Sequence, residues 1–153
     1  MTMIDTQSFI KSTRQKFSDS VKAVEVKSEK RATLTIEAKS LLKMANFLFS
    51  YMSFRFIIAS AVHTKKGFEI YYHFSNDAAG LIINLHVILP HEKPEIESLA
   101  NMFEAANWIE REMHELFGIT FLNHPNPEAL LSEGNWAVGV YPYRKDPKEL
   151  KLE

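Results

Sequence analysis

A chain of 153 residues, 46% apolar and 24% charged, is long enough for one domain with a sizeable core. Its formal net charge of -1 gives no general attraction for nucleic acid or anionic lipid. The absence of cysteine excludes disulfides, thiolate metal sites, a cysteine nucleophile and iron–sulfur clusters ligated from this chain, and it fits a reducing compartment.

Met1 to Ile10 includes Asp5 and has no apolar core, so a signal peptide is not expected there. No apolar run approaches the ~20 residues that span a bilayer, so any membrane attachment is expected to come from other proteins. Thr6 to Ser18 reads as a first helix with Phe9, Ile10 and Phe17 on its apolar side. Val21 to Val26 and Ala32 to Ile36 alternate as strands across a Glu29-Lys30 turn. Ala38 to Met52 is the clearest helix, because Leu41, Met44, Ala45, Leu48 and Met52 form one apolar stripe. Three strands follow. Phe54, Phe56, Ile58 and Val62 are expected to share a face in the first. Phe68, Ile70, Tyr72 and Phe74 share one in the second, and Leu81, Ile83, Leu85, Val87 and Leu89 in the third. Lys65-Lys66-Gly67 and Asn76-Asp77 suit hairpin turns. A short helix is expected within Glu95 to Ala106. The order α-β-β-α-β-β-β implies an α+β two-layer sandwich. It has a mixed sheet of about five strands with helices on one face, followed by a C-terminal helix and an irregular tail. Residues 1–106 form the scaffold. Residues 107–153 add a signature helix and an extended docking tail to the same single domain.

The chemistry-bearing residues cluster after Ala106. Asn107 suits an N-cap, with Glu110 three residues on as in a capping box, and Gly118 suits the left-handed position after the last turn. At 100° per residue, Trp108, Ile109, Met113, Leu116 and Phe117 sweep one half of a helix from Trp108 to Phe117. Glu110, Arg111, His114 and Glu115 fill the other half, with Glu110–His114 and Arg111–Glu115 as neighbours one turn apart. Glu112 falls inside the apolar arc, where a carboxylate needs a partner. Arg144 is the expected partner, since a guanidinium grips a carboxylate with two hydrogen bonds, and Glu112–Arg144 would clamp the tail to the helix. Trp136, Tyr141 and Tyr143 supply flat contact area of the kind that anchors interfaces.

Glu110-Arg111-Glu112 followed by Leu116-Phe117-Gly118 resembles the signature of the peripheral-arm C subunit of the proton-pumping NADH:quinone oxidoreductase, complex I. His124-Pro125 and Arg144-Lys145-Asp146 match the later elements of that family, and Ala106-Asn107-Trp108 matches its lead-in. The chain departs from the pattern in four places. His114 stands for an aromatic residue, Glu115 for Asp, Asn123 for Gly and Tyr143 for Leu. Val138 to Pro142, including Tyr141, is more similar to energy-converting [NiFe] hydrogenases and formate hydrogenlyases. The resemblance implies a structural subunit of a complex I-like redox assembly, of NADH:quinone oxidoreductase or hydrogenase type, with no catalytic residue and no cofactor of its own. Iron–sulfur clusters, flavin or nickel-iron would sit only in partner subunits. It further implies a hydrogenase-like large subunit and an iron–sulfur subunit as partners, no nucleic acid, no direct membrane insertion, and a peripheral place on the cytoplasmic face of the inner membrane. The docking surface would use Trp108, Glu110, Arg111, Glu112, His114, Glu115, Gly118, His124, Pro125, Tyr141, Arg144, Lys145 and Asp146.

Two other readings compete. Glu110, His114 and His124 offer ligand types for a small metal-dependent hydrolase, although their spacing completes no known site. A free-standing adaptor descended from the family is the third. Plainer roles also apply to single residues. Glu110 and His114 suit surface or interface hydrogen bonds, His73 and His86 a polar sheet face, and His124 a fixed turn beside Pro125.

Overall fold

The computed structural model describes residues 4–146 and 148–150, so the extreme ends of the two sequence-defined ranges lie outside the described residues. The elements run α1 (Thr6–Lys16), β1 (Val21–Ser28), β2 (Arg31–Ile36), a 3-10 turn (Ala38–Ser40), α2 (Leu41–Met52), β3 (Arg55–Thr64), β4 (Gly67–Asn76), β5 (Leu81–Leu89), β6 (Glu95–Glu97), α3 (Glu104–Phe117) and β7 (Thr120–Leu122). The α-β-β-α-β-β-β order and the mixed five-stranded sheet are as expected. The sheet order is β1-β2-β5-β4-β3. β1 and β2 are antiparallel, while β2 and β5 run parallel with Leu34 opposite Leu85.

Two compact units divide the chain, Met1–Ile58 with Tyr71–Val87, and Ala59–Ile70 with Ile88–Glu153. In the first, Asp5 caps α1 by accepting from the Ser8 amide at 2.7 Å. Phe9 packs on Phe54 with ring centroids 5.3 Å apart, and Phe17 on Phe47 at the same distance. Leu41, Met44, Ala45 and Leu48 of α2 are buried together with Leu34, Tyr72, Phe74, Ile83 and Leu85 of the sheet, and these side chains make the core. The other sheet face carries two polar rows. Thr33, Asn84 and His73 are joined by hydrogen bonds of 3.1 and 2.8 Å, and Thr35 meets His86, whose ring stacks on Tyr71.

Three expectations need correction. Ile57 and Ile58 are both exposed, so the alternation in β3 slips by one, and Ala59 and His63 are buried instead of Ile58 and Val62. The segment after Pro94 forms β6, not a helix. It pairs in parallel with β7, Ile96 opposite Phe121. This pairing satisfies backbone groups that a short helix would have left open at both ends. Finally, α3 starts one turn early. Phe103 is its N-cap with no side-chain bond, and Asn107 lies inside the helix.

Candidate functional site

The second unit holds the signature helix, and its burial differs from the expected half-and-half division. Ala106, Glu110, Met113 and Phe117 are its buried residues, while Trp108 is 70% exposed. The buried glutamate is therefore Glu110, and Glu112 stays half-exposed in a groove beside Ile109, Leu116 and Tyr143. The angular reading failed because it scored Trp108 as a core residue. The stripe Phe103, Ala106, Met113 and Phe117 leaves one gap at helical spacing, and Glu110 fills it.

Glu110 is tolerated because the turn after β6 is built around it. Ser98 Oγ donates to Oε2, and the Leu99 amide donates to Oε1 at 2.7 Å. Burial pushes its pKa up to about 7, against the lowering effect of the Ser98 hydroxyl and the Leu99 and Ala100 amides. His124 Nε2 stands 3.7 Å from Oε2. The Asn126 amide donates to His124 Nδ1 at 3.0 Å, so Nε2 carries the ring hydrogen and donates to the Asn107 carbonyl at 3.1 Å. Burial lowers the His124 pKa. Both groups are thus biased toward their neutral forms, and the contact is a polar neighbour pair and not a strong ion pair.

Glu110, His114 and His124 do line one cavity, of about 50 Å³. The cavity is small, and part of its ligand set is already committed. His124 uses both ring nitrogens, and His114 Nδ1–H donates to the Ile119 carbonyl at 2.8 Å. Among the described residues, no group of three or more His, Asp and Glu side chains is placed to hold a metal ion.

The charged signature residues turn toward the tail. Arg111 donates from Nε to the Glu128 carbonyl and from Nη2 to the Ala129 carbonyl, both at 2.7 Å. Glu115 accepts from the Leu131 amide at 3.0 Å, the Ser132 amide at 2.6 Å and the Ser132 hydroxyl. Burial alone would raise its pKa, but those donors outweigh it and hold the carboxyl below its usual range. Glu110–His114 and Arg111–Glu115 are consequently not ion-paired among the described residues.

The expected Glu112–Arg144 clamp is also replaced. No ion pair within 4.0 Å joins them among the described residues. Arg144 Nε donates to the Phe117 carbonyl at 2.6 Å, and its guanidinium lies over Tyr141 and Phe68 at 4.6 and 5.0 Å from the ring centroids. The helix end offers an open carbonyl there, which competes successfully for the arginine. The Tyr143 amide donates to the Leu116 carbonyl at 3.0 Å, and the Tyr143 ring meets Phe117 edge-on. Gly118, with φ of 72°, leaves space for this docking: a Cβ would stand 2.5 Å from the Tyr141 ring. Asn123, the departure from Gly, also adopts a left-handed φ of 59°, which asparagine tolerates better than most residues. Pro125 is exposed, the Lys145 amide donates to His63, and Asp146 accepts from the Lys148 amide. Ser98, Asn126, His63 and His91 were not singled out from sequence. The gap at position 110 was the available signal for Ser98, while nothing local marks the others.

The fold and site define a mixed-sheet α+β domain whose signature charges bond its own tail backbone. The sequence model described as "Respiratory-chain NADH dehydrogenase, 30 Kd subunit" matches residues 34–151, and the chain belongs to that family. It is 29% identical to the F(420)H(2) dehydrogenase C subunit of Methanosarcina mazei, over 94% of this chain and 92% of that one. It is also 29% identical to the NADH-quinone oxidoreductase C subunit of Geobacter metallireducens, covering 94% and 90%. A solved archaeal respiratory membrane complex, the membrane-bound sulfane sulfur reductase, contains a chain of the same fold. The TM-score is 0.73 at 21% identity, covering 95% of this chain and 85% of that one. Among the described residues no helix is long and apolar enough to cross a membrane.

Proposed function

We propose that this chain is a cofactor-free structural subunit of a complex I-like, membrane-associated redox assembly, and that α3 and the tail dock it beside a hydrogenase-like large subunit and an iron–sulfur subunit. The observation that carries this reading is the use made of the signature charges. Arg111, Glu115 and Arg144 each bond tail backbone or the helix end, so these three shape a surface and are themselves committed to structural bonds. On α3 and the tail, Trp108, Leu131, Trp136, Val140 and Tyr143 are each exposed, and large exposed aromatics are favoured anchors of binding surfaces. The relatives' names support it further. They carry different electron donors, F(420)H(2) and NADH, while this type of subunit persists. Attachment to the cytoplasmic side of the membrane would then come from the partners.

Purification of the tagged chain from detergent-solubilised membranes tests this. Recovery of a large subunit and an iron–sulfur protein in equal amounts is expected; a monomer alone overturns it. The metal-dependent hydrolase is favoured only by the shared cavity of Glu110, His114 and His124. One zinc or iron per chain in the isolated chain, freed of every partner, would support it over docking.

A further inference from the structure

His63 in β3 and His91 in the segment after β5 form a second polar centre, separate from Glu110 and His124. The Lys145 amide donates to His63 Nδ1 at 3.1 Å, His63 Nε2 meets His91 Nδ1 at 3.1 Å, and His91 Nε2 meets the Lys65 carbonyl at 3.2 Å. The two ends fix every hydrogen. An amide only donates, so His63 Nδ1 is bare and its Nε2 carries hydrogen. A carbonyl only accepts, so His91 Nε2 carries hydrogen and its Nδ1 accepts from His63. The chain of hydrogen bonds runs one way, and each imidazole must be neutral to complete it.

The surroundings penalise a charge on His63. The ring is buried and stacked on Phe68 with centroids 4.4 Å apart. The Arg144 guanidinium lies over the same Phe68 ring, and Lys145 follows it in the tail. Glu149 is the only carboxylate lining the adjacent groove among the described residues. Glu69, on β4, accepts from Thr64 Oγ1 at 2.8 Å.

We propose that the His63–His91 pair is an acid-sensitive latch, which holds the tail at Lys145 and releases it when an imidazole takes up a proton. A proton added from solvent to His63 Nδ1 occupies the lone pair that receives the Lys145 amide and places a cation beside Arg144 and Lys145. Burial, then His91, Arg144 and Lys145, lower the His63 pKa from its ordinary 6.5. The sign follows directly. With the latched pKa below that of the open state, the latch is intact above pH 6.5 and weakens as pH falls below it.

The test is NMR of the full-length chain from pH 8 to pH 5, following the imidazole signals, the Lys145 amide and the order of residues 141–146. The latch predicts that the Lys145 amide loses its hydrogen-bonded shift and the tail becomes mobile, both in step with an imidazole midpoint below 6.5. Imidazole titration that leaves the Lys145 amide and tail order unchanged overturns it. His63→Asn supplies an oxygen near the Nδ1 position that does not titrate in this range, so the tail should stay ordered at pH 5. A wild-type acid midpoint in a folded His63→Asn variant also overturns the latch, and the wild-type titration decides if that variant does not fold.

Discussion

Replacing Glu110 by glutamine isolates the effect of burying its carboxylate. The side chain is fully buried, and its pKa rises from 4.5 to about 7. At 1.36 kcal/mol per pH unit, this corresponds to about 3 kcal/mol. The sign is that of an acid with a raised folded-state pKa. Below pH 4.5 the folded and unfolded chains both hold the proton, and the contribution is complete. Between 4.5 and about 7 only the folded chain keeps it, so stability falls as pH rises and levels off above that range. Glutamine retains an oxygen for the Ser98 hydroxyl or the Leu99 amide but does not titrate. Urea denaturation of both proteins from pH 4 to pH 8 gives a difference profile in which shared titrations away from Glu110, such as that of His63, largely cancel. Glu110→Gln should gain about 3 kcal/mol relative to wild type across that interval, within the factor of two usual for buried groups. A flat difference profile would refute the dominance of burial at this site.

Two further substitutions probe the tail. Gly118→Ala should cost about 2 kcal/mol, from the left-handed backbone and the displaced Tyr141 ring, and is read as a lower urea midpoint at unchanged slope. A loss below about 0.5 kcal/mol would mean that the close approach is not needed. Glu112→Ala should leave stability within about 0.5 kcal/mol and the tail as resistant to trypsin as in wild type, because Arg144 binds the Phe117 carbonyl instead. A loosened tail would restore the clamp.

The scaffold was legible because its signals are local. The alternation of β4 and β5, the Lys65-Lys66 turn and the α2 stripe each depend on neighbours within a few residues, whereas the alternation of β3 slips by one. What failed depends on distant partners. Glu110 is acceptable in a core only because Ser98 and the Leu99 amide meet it from the preceding turn. Arg144 had two possible acceptors, a carboxylate and a helix-end carbonyl, and sequence does not rank them. By its angle Trp108 falls with the apolar half of the helix, whereas the structure leaves it in solvent. The buried stripe of α3 runs through Ala106, Glu110, Met113 and Phe117, and Trp108 lies outside it. The left-handed Asn123 shows the reverse, a departure from the family pattern that keeps the backbone requirement intact.

Docking of this chain into a larger assembly through α3 and the tail is tested most directly by Trp108→Ser in the tagged chain. Trp108 is 70% exposed and outside the core, so folding should be unaffected and the melting temperature should stay within about 2 °C of wild type. Recovery of the large subunit with the variant should fall about tenfold or more, as expected for an aromatic anchor worth upwards of about 1.4 kcal/mol. Undiminished recovery with the variant would contradict docking through this face.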